Sequence, residues 1–178
     1  MSAQEENMAM GNLLWSDLYY HIKVAQGYIL CVQNYVNKMR KYKRYADIGM
    51  VIVLLIAAAL CKFFAEYAWL IVLVPLIVDF LKDFTPKVIQ PETELAKLDS
   101  IQTTLLSIRN NLECAVFDFI NLPEVTDIQI QGKLTVEKKR LEEITPEYNR
   151  LVRYISSSEH ARFDREAEEY VNQKYKNF

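Results

Sequence analysis

Apolar positions recur along this chain in two seams separated by an unbroken apolar stretch. In the first seam Leu18, Ile22, Ala25, Ile29, Val32, Val36 and Met39 are spaced alternately four and three residues apart. That is the spacing of a coiled-coil stripe, and it predicts one long helix over residues 12–45, a segment free of Pro with Gly27 as its interior Gly. Tyr28, Tyr35 and Tyr42 recur every seven residues beside it, a second stripe that reads as a packing face with wet hydroxyls or as a stacking platform. In the second seam Leu98, Ile101, Leu105, Ile108, Leu112, Ala115 and Phe119 are spaced three and four apart, predicting a helix over residues 92–122. Pro86 and Pro91 precede this helix and Pro123 stops it.

Residues 48–81 carry Lys62, Glu66 and Asp79 as their ionisable groups. A helix crossing a hydrocarbon core of about 30 Å needs about 20 residues. Residues 48–61 and 67–81 approach that length if Lys62 snorkels and Asp79 sits near one end, with Phe63, Phe64, Tyr67 and Trp69 as an aromatic belt. A two-helix transmembrane hairpin over residues 46–84 is therefore expected; a buried hairpin in a helical bundle is the competing reading. Lys38, Arg40, Lys41, Lys43 and Arg44 precede the hairpin, and Lys82 and Lys87 follow it. This basic flank places both termini in the cytoplasm and suits anionic headgroups better than nucleic acid. The two seamed helices then return side by side and antiparallel.

Residues 1–11 read as a flexible terminus and residues 123–178 as a small helical region. Within the latter, residues 124–135 read as a loop and Val136, Leu141 and Ile144 as one face of a modest helix. Thr145-Pro146-Glu147 reads as the start of a further helix, and residues 156–159 as a break and restart. The last helix is expected to bury Phe163, Ala167 and Tyr170. The fold class is thus all-α: a membrane hairpin, long antiparallel cytoplasmic helices and a helical C-terminal region, assembled as an oligomer.

Composition narrows the chemistry. The 178 residues carry a net charge of −2, which removes any global electrostatic case for nucleic acid. Cys31, Cys61 and Cys114 are scattered and read as apolar fillers in a reducing compartment, and His21 and His160 as helix-face side chains. No phosphate loop, metal-ligand cluster or nucleophile motif appears, so neither a catalytic residue, a metal nor a cofactor is expected. Residues 156–158 beside Glu159 and His160 read as a polar break with a helix cap, not as a nucleophile and base.

The Tyr19-Tyr20 to Ala25 helix entry, the paired apolar runs, and Glu147-Tyr148-Asn149-Arg150-Leu151 followed by Ser156-Ser157-Ser158 resemble a SLATT-domain protein over nearly the whole chain. The likeness is one of architecture more than of a sharp motif, and is strongest to the stand-alone membrane effectors of Hailong-type antiphage systems. It implies a pore-forming effector in a bacterial inner membrane, gated by a nucleotide or short DNA oligonucleotide made by a partner nucleotidyltransferase, whose opening depolarises the cell and arrests growth in abortive infection. A single hairpin encloses no ion path, so a channel requires several copies, with a homotetramer favoured. Leu106, Val116, Phe117 and Ile120 would supply further assembly surface. Asp79 and Asp83 are candidate acidic rings at the cytoplasmic mouth, and Pro75 a candidate hinge. Lys138, Lys139, Arg140, Arg150, Arg153 and Tyr154 are candidate oligonucleotide contacts, although Glu142, Glu143 and Glu147 among them equally describe a solvated mixed-charge face. A non-conducting coiled-coil scaffold and a holin-like permeabiliser are the alternatives.

Overall fold

The computed structural model describes residues 3–63, 73, 76, 90–121, 126–152 and 155–175, with side chains from residue 13 and, in the first helix, as far as residue 60. Among the described residues the chain is all-α, with four helices and no strand: α1 (Ala3–Phe63), α2 (Glu92–Asn121), α3 (Asp127–Leu151) and α4 (Ser157–Tyr175). It divides into two compact units, one formed by Met1–Tyr35 with Lys97–Phe178 and the other by Val36–Ala96.

The first unit is a four-helix bundle running up, down, up, down. Trp15 stacks on Phe119, and Gln26 accepts a hydrogen bond from Arg109. Eleven residues forward in α1 therefore answer ten residues back in α2, which makes the pair antiparallel. The seam positions of both helices are buried, from Leu18 to Met39 and from Leu98 to Ala115, with Phe119 at the end half-buried. The α1–α4 pair is as regular. Tyr19 donates to Asn172 and Lys23 to Glu168, Gly27 faces Asp164, and Cys31 lies beside His160. Each step of four along α1 is matched by four back along α4, the row spacing that lets two helices interdigitate. Lys133 bridges to Asp118, and Asn111 donates to Glu137, closing α3 antiparallel onto α2. Up-down connectivity of this kind follows from short links between antiparallel neighbours.

Three local readings of the sequence need correction. The first helix begins at Ala3, ahead of the start at residue 12 that the pattern predicts; Ala, Gln, Glu and Met there are strong helix formers. The expected loop over residues 124–135 is helix from Asp127 onward. Thr126 caps it, its backbone N–H donating to the Gln129 side chain, and Ile130 and Leu134 are buried in the bundle. Thr145-Pro146 does not start a helix, because Pro146 lies inside α3. The carbonyl that its ring cannot pair with belongs to Glu142, an exposed residue, while Tyr148 and Leu151 beyond it are buried and hold the helix to the core.

Side-chain faces shift accordingly. Val136 points to solvent, and the buried face of α3 runs instead through Ile130, Leu134, Glu137 and Leu141. In α4, Val171 rather than Tyr170 completes the buried row with Phe163 and Ala167. Val116, expected on an outer assembly face, is buried, whereas Phe117 beside it is exposed. The break at residue 156 is as expected: Ser156 N–H donates to Glu159, and Glu159 N–H donates to the Ser156 hydroxyl, a reciprocal cap on α4.

The second unit pairs α1 with the start of α2. Glu92 accepts from Lys43 at 3.1 Å and lies 3.6 Å from Arg40, and Val36, Met39 and Leu95 are buried. Of the hairpin expected over residues 46–84, residues 64–84 lie outside the described residues except for residues 73 and 76. Among the described residues no helix is long and apolar enough to cross a membrane.

Candidate functional site

The feature that the fold leaves unexplained is the apolar section of α1 in the second unit. Residues 51–56 are Val, Ile, Val, Leu, Leu and Ile, and each is 41–65% exposed. Six consecutive helical residues sweep more than a full turn, so this section is apolar and substantially exposed on every face. A soluble surface helix would show one polar face; a core helix would be buried. Leu73 and Leu76 are exposed as well. Contiguous apolar surface of this kind marks a membrane or a protein partner.

At the base of this section stands a basic segment, residues 38–44. Its charges divide by their partners. Arg40 and Lys43 continue the seam of Val36 and Met39 and meet Glu92, and the Lys43 ammonium holds the Glu92 carboxyl below its usual range. Lys41 and Arg44 are exposed, as are Tyr42 and Tyr45; Arg44 is one turn on from Arg40, and Lys41 lies further round the helix.

The bundle contains a second polar constellation that the sequence pattern did not reveal. Glu113 of α2 accepts from the Tyr170 hydroxyl at 2.6 Å and pairs with Lys174 at 2.6 Å and Arg109 at 3.7 Å. Arg109 also donates to Gln26 and lies 5.6 Å over the Tyr170 ring. Partial burial opposes the charge on Lys174, but Glu113 and Tyr170 outweigh it and raise its pKa above the ordinary value. Gln26, Arg109 and Glu113 each flank a seam position, a placement too common in helix pairs to single them out. On the other side of α2, buried Glu137 is held by Arg140 at 2.9 Å and Asn111 at 2.9 Å. Both clusters have the ion pairs and hydrogen bonds of structural networks.

The expected pore residues Asp79, Asp83 and Pro75 lie outside the described residues, as do Arg153 and Tyr154. Of the expected ligand contacts, Arg140 is paired with Glu137 and Arg150 with Glu147 at 3.6 Å. Lys138 and Lys139 are exposed on α3. Lys139 and Arg150 share a helix face but stand about 16 Å apart along it, so the described residues do not gather these cations into one pocket. Among the described residues no group of His, Cys, Asp or Glu could hold a metal ion. No family model matches the chain, and no match was found among curated proteins or solved structures.

Proposed function

We propose that the chain is the subunit of a homo-oligomeric membrane channel, with residues 46–84 as its spanning hairpin and the four-helix bundle as its cytoplasmic sensor. The observation that carries this reading is the uncovered apolar section of α1 above a basic collar. Bare aliphatic side chains on all faces of a helix are costly in water, at roughly 25 cal/mol per Å² of apolar surface, and cost nothing in lipid. Residues 48–60 would rise about 20 Å into the bilayer, and the continuing sequence through Phe63 and Phe64 would complete the crossing.

Apart from half-buried Phe119, the seam side chains are already buried within the chain and offer little surface for assembly. This weighs against the scaffold reading, in which a partner coiled coil would need them. Subunits would instead meet in the bilayer and through the exposed apolar residues of the bundle, Leu13, Phe117 and Ile128. With copies of Asp79 and Asp83 around the axis, the mouth would favour cations. A nucleotide or short oligonucleotide from a partner nucleotidyltransferase would act on the bundle, with Lys138 and Lys139 as its exposed described cations, and opening would depolarise the cell and arrest its growth.

Potassium efflux from liposomes carrying the purified full chain, with and without short DNA oligonucleotides, tests the reading. Efflux that the oligonucleotide changes and that Asp79→Asn reduces is the expected result. An inserted, oligomeric protein that passes no ions in either condition would overturn it.

A further inference from the structure

The division of the basic collar carries a second step, which rests on the membrane reading above. Arg40 and Lys43 are held by Glu92. Lys41 and Arg44 are exposed, and neither makes an ion pair with a described residue. On a helix, Lys41, Arg44, Tyr45 and Ile48 lie three or four residues apart and form one continuous strip. Tyr45 is 67% exposed and Ile48 48% exposed, so exposed cations, an aromatic ring and an aliphatic side chain follow one another along the axis. Such a vertical order matches a membrane boundary: ammonium and guanidinium among phosphates, tyrosine at the headgroup level, aliphatic side chains below.

We infer that Lys41 and Arg44, with Tyr45, form an anionic-lipid contact along one exposed strip of α1, and that Glu92 reserves Arg40 and Lys43 for the α1–α2 pair. The ligand class is a lipid with a negatively charged headgroup, phosphatidylglycerol being the simplest probe. Lys41 supplies a mobile point charge, and Arg44 a planar fork suited to two phosphate oxygens. The contact fixes the height and rotation of α1 at the interface, where the seamed helix gives way to the apolar section.

The test uses the full chain in mixed phosphatidylglycerol and phosphatidylcholine, reading the lipids it retains by native mass spectrometry and its resistance to alkaline carbonate extraction from vesicles. Wild type retains phosphatidylglycerol above its bulk share, and Lys41→Gln/Arg44→Gln lowers that preference on the order of 30-fold, the equivalent of about 1 kcal/mol per cation. Lys133→Gln/Arg165→Gln, which removes two charges from the bundle, leaves it in place. No preference in wild type, or one that survives Lys41→Gln/Arg44→Gln, overturns the contact, whether or not the protein resists extraction. A preference that the variant loses in a protein that carbonate releases supports the contact and sinks the spanning reading instead.

Discussion

Tyr28 of α1 and Tyr148 of α3 stack face to face, with ring centroids 4.4 Å apart and planes 18° from parallel. Tyr148 is 2% exposed, and its hydroxyl lies against the Cys31 thiol. The pair joins two helices that are parallel and therefore not direct chain neighbours. Replacing Tyr148 by Ala should cost about 3–5 kcal/mol, the range for truncating a buried aromatic. Tyr148→Phe keeps the ring and should change stability by less than about 1.5 kcal/mol. Urea midpoints followed by circular dichroism will separate the two, and similar losses for both would show that the hydroxyl rather than the stack matters.

Gly27 sits where α1 and α4 approach. A methyl group added there would meet Asp164 Oδ1 at 3.6 Å and the Ala167 methyl at 3.8 Å, ordinary contact distances. Gly27→Ala should therefore stabilise the bundle by about 0.5–1 kcal/mol through the helix interior alone. Gly27→Leu has no such room and should destabilise. A melting temperature that falls for the Ala variant would mean that the helices pack more closely than these distances allow.

Glu113 gathers Arg109, Tyr170 and Lys174. Its side chain is 16% exposed, so Glu113→Ala leaves a partly buried guanidinium without its carboxylate and should cost about 1–3 kcal/mol. A double-mutant cycle with Tyr170→Phe should show a coupling above about 0.5 kcal/mol, as expected for groups in one network. Additive losses would reduce the cluster to a solvated ion pair.

The seams were legible because period alone defines them: Leu18 to Met39 and Leu98 to Ala115 repeat often enough to exclude chance. The end of α2 at Asn121 and the Ser156 cap were legible from Pro123 and the serine run. The region from Asp127 to Pro146 was not. Gly132, Thr135 and Pro146 read locally as breakers, yet none faces the core, and burial of Ile130, Leu134, Leu141 and Tyr148 outweighs their intrinsic cost. The basic collar was visible as a cluster, but its division into cations held by Glu92 and cations left exposed depends on a contact across 49 residues that no spacing rule encodes.

Ser156 supplies a local prediction. Its hydroxyl accepts from Glu159 N–H, and Glu159 returns a carboxylate to Ser156 N–H. Ser156→Ala should cost about 1 kcal/mol, and Ser156→Asp, which keeps an acceptor at the positive end of α4, should recover most of it. Hydrogen exchange of the first turn of α4 will report the change, and unaltered protection in the Ala variant would discount the cap.

Alkaline pH should loosen the bundle. Burial pushes the Tyr148 hydroxyl and the Cys31 thiol above their ordinary pKa values, and burial does the same for Tyr175, with the Glu113 charge adding to it. In each case the folded state favours the protonated form. The stability this contributes is fully present below the unfolded pKa values, near 8.5 for Cys and 10 for Tyr, and is lost as pH rises from there toward the raised folded values. Each group steepens the loss by at most about 1.4 kcal/mol per pH unit while only its unfolded form is ionised. Urea midpoints at pH 7.5, 9 and 10.5 should therefore fall with increasing slope, and Tyr148→Phe, which cannot ionise at that position, should flatten the upper part of the curve. A midpoint unchanged to pH 10.5 would place these groups in water rather than in the core.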